Sequence, residues 1–179
     1  FNADKFADIA AQEFADRGRE VVLSSRHCPT PVLAWGVEEH GFSAGLVFTS
    51  SHNLPEWMGI KLIPAGGAPA TSAVTDRISE LTADVSIGED HLLTRERESF
   101  QGERLDFRGG YLSHLEQLID LSAVAEFSGE LCLDYQNGAA CGWLDPLLER
   151  AGIEFEVVRE RPDPTFLGNR PDPTEEMLR

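Results

Sequence analysis

Apolar residues along this chain switch between helical and strand-like spacing, and the switches predict its elements. Phe6, Ile9, Ala10 and Phe14 recur at helical intervals, with Asn2 placed to cap the helix, Phe1 and Phe6 to staple it, and Gly18 to stop it. Residues 20–24 read as a strand. Pro29-Thr30-Pro31 opens a second helix that runs to about His40 and offers Val32, Leu33, Trp35, Gly36 and Val37 as its apolar face. Residues 44–48 form an apolar run expected to be a buried strand, and residues 60–63 another short strand. Gly66-Gly67-Ala68-Pro69 is a loop, and the helix after it, 72–83, carries Val74, Ile78 and Leu81 on one face. Helices and strands alternating in this way predict an α/β fold, with mixed, mainly parallel sheets covered by helices.

Beyond residue 85 the periodicity fades, and 85–107 reads as a charged connector with Glu96 to Glu98 as a solvated face. Regular spacing returns after Gly109-Gly110, where Tyr111, Leu112, Leu115, Leu118 and Ile119 form a helical stripe, followed by a short helix or turn over 121–127. Residues 131–134 form a strand leading into a loop with Gly138. Leu144, Leu147 and Leu148 mark a helix that stops near Gly152, and 155–158 is the next strand. Prolines then impose an extended loop on 162–171, and Asp172, Pro173 and Glu175 resemble a helix start. The pattern divides the chain into units 1–105 and 106–179, each a partial three-layer α/β/α arrangement. Phe1 in place of an initiator Met, and a helix broken off at Arg179, suggest a chain cut at both ends.

Composition narrows the function. The 179 residues include 31 acidic and 15 basic ones, a net charge of -16, which argues against nucleic acid as a partner. No apolar run reaches membrane-spanning length and no signal-peptide pattern opens the chain, so a cytoplasmic protein is expected. Cys28, Cys132 and Cys141 have no metal-ligand spacing and read as reduced thiols. An acidic chain does not steer an anionic substrate from afar, so any phosphate must meet local cations. Only Lys5 and Lys61 are lysines among the 15 basic residues, and Lys61 stands close to the most reactive-looking stretch of the chain.

That stretch is Thr49-Ser50-Ser51-His52-Asn53-Leu54-Pro55-Glu56-Trp57-Met58-Gly59-Ile60-Lys61-Leu62. It follows the apolar strand, and the carboxyl ends of strands are where open α/β sheets bind ligands. A hydrolase triad fits poorly, because neighbouring side chains usually point apart and no Gly-x-Ser-x-Gly elbow is present. Ser51 as a carrier of phosphate fits better, since phosphoryl transfer asks for charge neutralisation and positioning more than for a strong base. Lys61 would supply charge or a proton, His52 would relay a proton, and Asn53 would order the loop through hydrogen bonds. By themselves these residues suit a structural turn as well as a site. His27, His40, His91 and His114 lack ligand-spaced partners and read as surface or packing residues. Arg170 fits a phosphate contact or a surface ion pair, and Asp134 and Asn137 an ordered interface or an Asx turn.

The loop resembles the active-site serine loop of the α-D-phosphohexomutases, the phosphoglucomutase and phosphomannomutase family, whose pattern is Thr-Ala-Ser-His-Asn-Pro followed by Gly-Ile-Lys. Thr49, Ser51, His52, Asn53, Pro55, Gly59, Ile60 and Lys61 carry the likeness, with Ser50 and Leu54 as departures. Alignment with His52-Asn53 selects Ser51 over Ser50. Other stretches are similar to the family in the same order: Pro29-Thr30-Pro31-Val32, Tyr111-Leu112 with His114-Leu115, Asp134 to Ala139, and Asp163-Pro164-Thr165-Phe166 through Pro173-Thr174.

The resemblance implies a mutase, an isomerase acting as an intramolecular phosphotransferase in carbohydrate metabolism. It would move phosphate between the 1- and 6-positions of glucose or mannose phosphate. Ser51 would be the phosphoserine and would ligate Mg²⁺ through its phosphate, with His52 and Lys61 near the transferring group. Residues 1–105 would be the latter part of the family's domain I and 106–179 most of domain II. The acidic metal loop and the sugar-recognition loop would lie outside the chain, so this piece alone is expected to be inactive. A catalytically silent sugar-phosphate-binding or assembly module of the same fold is the alternative. Sugar identity and oligomeric state are not encoded in these residues.

Overall fold

The structure, a computed structural model, describes residues 2–83, 85 and 99–175. The first helix, α1 (Ala3–Asp16), ends where Gly18 takes a left-handed φ of 74° and returns its N–H to the Ala15 carbonyl. Asn2 stands at the cap position but is itself left-handed, and its side chain accepts no capping hydrogen bond. The Phe1 half of the expected staple lies outside the described residues. Strand β1 (Val22–Ser24) leads to α2 (Thr30–Glu39), whose first turn holds Pro31 and whose inner face buries Val32, Gly36 and Val37.

Strands β2 (Ala44–Thr49) and β3 (Gly59–Pro64) pair antiparallel, with Ala44 opposite Pro64 and Thr49 opposite Gly59. Helix α2 packs on this ribbon at Gly45, where a Cβ would fall 2.7 Å from a Val37 methyl group. Glycine is therefore required there for helix and strand to approach. Helix α3 (Ser72–Ala83) buries none of its residues, so its Val74–Ile78–Leu81 face exists but is uncovered among the described residues.

Residues 85–107 are more than a connector. They hold β4 (Glu103–Leu105), which pairs parallel with β1, Val22 opposite Glu103. Two of its three residues are charged, so no alternation betrays it. Long-range bonds fix it instead: Asp8 on α1 accepts from the Phe100 N–H at 2.8 Å and pairs with Arg104 at 2.7 Å. The Glu96 to Glu98 stretch and His91 lie outside the described residues.

The remaining elements are α4 (Arg108–Leu118), α5 (Leu121–Ala125), β5 (Cys132–Asp134), α6 (Asp145–Arg150) and β6 (Glu156–Val158). Asp120 caps α5, accepting from the Ser122 and Ala123 N–H groups. Strands β5 and β6 pair parallel, with Leu133 opposite Val157. The fold is thus mixed α/β, with two parallel pairs and one antiparallel ribbon among helices in the described residues. The proline-rich stretch is not wholly extended. Asp163 accepts from the Thr165 N–H and hydroxyl and starts a 3₁₀ turn, Phe166–Gly168. The expected helix after Asp172 has not begun by Glu175, and the residues beyond lie outside those described.

The core joins both halves of the chain. Val32 from α2, Phe107 and Trp143 pack together, flanked by Cys28, Trp35, Phe42, Leu105 and Tyr111. Each such side chain contributes about 1.5–3 kcal/mol by leaving water. The Trp143 indole N–H also donates to the His27 carbonyl at 3.1 Å, tying the segment before α6 to the one before α2.

Candidate active site

The strongly apolar β2 ends at Thr49, and nine residues, 50–58, close the hairpin onto Gly59. Two consecutive turns shape this loop: the Asn53 N–H donates to the Ser50 carbonyl at 3.0 Å and the Trp57 N–H to the Leu54 carbonyl at 3.1 Å. Ser51 lies in the left-handed region, φ 59°, and its N–H donates to the Thr49 hydroxyl at 3.0 Å. A non-glycine residue in that region is costly, and such outliers gather at ligand sites.

The bend has a chemical consequence. It places Ser51 Oγ 3.4 Å from His52 Nδ1, although adjacent side chains were expected to diverge. Both groups are exposed. Lys61 projects from β3 opposite Val47, also exposed, with no ion pair among the described residues. An available hydroxyl, an adjacent imidazole and a cation on the returning strand therefore share one hairpin. Asn53 is ordered through its backbone N–H rather than its side chain. Arg170 is exposed and has no ion pair among the described residues.

The loop after β5 is built differently. Asp134 accepts from Arg159 Nε at 2.7 Å and from the Gln136 N–H at 3.0 Å, closing an Asx turn, and a second Arg159 nitrogen bonds its other oxygen. Arg159 holds the Asp134 carboxyl below the usual carboxylate range. Tyr135 donates to Asp145 and accepts from the Leu144 N–H at 3.2 Å, and burial followed by the Asp145 bond raises its phenol to about 12. Asn137, 7% exposed, donates through Nδ2 to the Arg161 carbonyl at 2.8 Å. This loop is structural. Tyr135, Asp145 and Arg159 carry no spacing signal, because Arg159 reaches Asp134 through the β5–β6 pairing and Asp145 meets Tyr135 from the start of α6.

Other titratable groups are occupied as well. Burial raises the Cys28 and Cys141 thiols, which keeps them protonated and poorly nucleophilic, and Cys132 is exposed. His40 stacks on Phe42 with ring centres 5.4 Å apart, and His114 lies against Trp35 at 6.0 Å. A concavity of about 410 Å³ between α2 and α4, lined by Trp35, His40, Asp106 and His114 among others, includes no residue of the serine loop. Among the described residues no three His, Cys, Asp or Glu side chains gather to hold a metal, and no helix is long and apolar enough to cross a membrane.

Comparison with known proteins places this hairpin in context. Residues 1–87 match the family model described as phosphoglucomutase/phosphomannomutase, alpha/beta/alpha domain I. A phosphoglucomutase/phosphomannomutase of Thermococcus kodakarensis is 27% identical over 84% of this chain and 32% of its own length. A phosphoglucosamine mutase of Corynebacterium aurimucosum is 31% identical over 86% of this chain and 33% of its own. The crystal structure of a putative phosphomannomutase from Thermus thermophilus superposes with a TM-score of 0.87 at 33% identity, covering 99% of this chain and 39% of that one. The chain spans about a third of the length of the curated relatives it matches. With the Ser51–Lys61 hairpin inside the matched domain, this chain belongs to the phosphoglucomutase/phosphomannomutase family.

Proposed function

We propose that this chain supplies the phosphoryl-carrying hairpin of a hexose-phosphate mutase, with Ser51 as the group that bears phosphate. One observation carries the reading: Ser51 is exposed and left-handed at the end of β2, with His52 Nδ1 3.4 Å from its oxygen and Lys61 on the returning strand.

The step balances simply. A sugar hydroxyl oxygen attacks phosphorus on Ser51; the new O–P bond forms as the Oγ–P bond breaks, and the hydroxyl proton leaves to a base while Oγ recovers one. His52 is near enough to Oγ to return that proton, and the Lys61 charge offsets the phosphate oxygens. The resulting bisphosphate turns round and gives its other phosphate back to Ser51, moving phosphate between the 1- and 6-positions. Mg²⁺ finds no prepared set of ligands among the described residues. This chain's own offer to the ion would be an oxygen of the Ser51 phosphate, which fits a hard divalent cation.

In this reading residues 1–105 are the latter part of domain I and 106–179 most of domain II, with Arg170 a phosphate contact from the second. Free thiols at Cys28, Cys132 and Cys141 fit a cytoplasmic location. The test is mutase turnover of glucose 1-phosphate or mannose 1-phosphate by the complete gene product. Ser51→Ala and Ser51→Gly should each lose about three orders of magnitude or more. Near-full rate in both variants would remove Ser51 from the mechanism.

A further inference from the structure

We propose that Thr49 is a positioning residue for phosphoryl transfer: its hydroxyl holds Ser51 in the left-handed conformation that sets Ser51 Oγ beside His52. The assignment rests on the mutase reading above and extends it to a residue that does not itself react.

The ladder between β2 and β3 ends at the Thr49–Gly59 pair. Beyond it the chain leaves the sheet, and Ser51 falls at the second position of the turn that the Asn53 N–H closes onto the Ser50 carbonyl. Turns with a positive φ at that position take Gly, Asn or Asp by preference, yet this one carries a serine at φ 59°. Glycine would suit the backbone, but none of the three preferred residues offers a hydroxyl. Serine keeps the hydroxyl and needs a restraint, because a residue with a Cβ is disfavoured in that region by about five- to thirty-fold.

Thr49 supplies the restraint. Its Oγ1 accepts from the Ser51 N–H at 3.0 Å, and a net hydrogen bond shifts a local equilibrium by about two- to twelve-fold. The two magnitudes are comparable, so this bond is large enough to set how often Ser51 stands left-handed. Thr49 is well placed for the task. The ladder fixes its backbone, and a Cβ added at Gly59 would fall 3.3 Å from its carbonyl oxygen. Gly59, directly opposite, brings no side chain to compete for the hydroxyl, and β-branching limits the Thr49 rotamers. Order thus passes from the sheet through one side chain to the loop, and from there to the 3.4 Å contact between Ser51 Oγ and His52 Nδ1. Ser51 is exposed, so water can replace the bond. Its loss therefore falls on the placement of Oγ rather than on the fold.

The test uses the complete gene product. Thr49→Val removes the hydroxyl at nearly constant shape; kcat with glucose 1-phosphate should fall about ten-fold, with KM within about two-fold of the parent. Thr49→Ser restores an acceptor and should bring kcat back to within about three-fold. A kcat in Thr49→Val within about two-fold of the parent overturns the assignment. An equal loss in Thr49→Ser overturns it too, since packing of the methyl group would then be the cause. So does a rise in KM alone, the mark of a hydroxyl that touches substrate. Should Thr49→Val fail to fold, hydrogen exchange at the Ser51 amide of the parent decides. That amide should exchange about ten-fold more slowly than in the unfolded chain, and an unprotected one contradicts the restraint. Full turnover in Ser51→Gly would sink the mutase reading itself; lost turnover there with an unmoved kcat in Thr49→Val sinks the positioning role alone.

Discussion

Two loops in this molecule begin alike and end with opposite characters. Each follows the carboxyl end of a strand, and each forces non-glycine residues into the left-handed region: Ser51 after β2, Gln136 and Asn137 after β5. After β5 the side chains of three polar positions are engaged within the fold, Asp134 by Arg159, Tyr135 by Asp145 and, after Gln136, Asn137 by the Arg161 carbonyl. After β2 the hydroxyl, imidazole and ammonium are all exposed, and the hydroxyl lies 3.4 Å from the imidazole. Backbone strain alone therefore does not mark a reactive loop. What separates them is whether the side chains already have partners within the fold.

That contrast predicts that changes around the second loop act on stability and changes in the first act on chemistry. The largest stability effect should come from Trp143, which precedes α6 and closes the core against Val32 and Phe107. Trp143→Ala should cost about 3–5 kcal/mol in urea unfolding. Asn137→Ala should cost about 1–3 kcal/mol, because it strands the Arg161 carbonyl and puts Cβ chemistry without a polar anchor at φ 57°. Asn137→Gly removes the same hydrogen bond but suits that φ, so it should cost less by about 1 kcal/mol.

Tyr135 gives the pH arm of the contrast. Its native value of about 12 lies above the unfolded one, which is about 10. Its contribution is therefore complete below about pH 10 and is lost as pH rises towards 12, by up to about 3 kcal/mol. Unfolding curves across that window should show the decline, and Tyr135→Phe should flatten it. The smallest effect belongs to the first loop: Ser51→Gly relieves a left-handed serine and should change stability by no more than about 1 kcal/mol, in the favourable direction. A large loss of stability there would show that the serine loop, too, is a structural element.

Much of this was legible in the residue pattern, and the failures have identifiable causes. The bounds of α3 and the positions of α2, β2 and β3 follow from apolar spacing and from Pro31, Gly66 and Gly67, all local signals. The antiparallel sense of β2 and β3 was not among those expectations; the nine residues between them are too few for the crossover that a parallel pair needs. Strand β4 was hidden because Glu103 and Arg104 owe their places to Asp8 and to β1, far away in sequence. The 3₁₀ turn at Phe166 was hidden because the prolines suggested extension, while Asp163 supplied the hydrogen bonds that turn the chain. In the candidate site, Ser51, His52 and Lys61 drew attention by type and spacing, which suited a structural turn equally well, and the family resemblance is what singled them out. The nearness of the Ser51 hydroxyl to His52 was not legible, since it accompanies a left-handed serine, a conformation that no residue type announces.

The most direct test of the account is phosphopeptide mapping of the complete gene product after incubation with a hexose 1,6-bisphosphate. The account predicts one phosphate, on Ser51, absent from Ser51→Gly. Phosphate on Ser50, or an active protein with no phosphate in the hairpin, would contradict it.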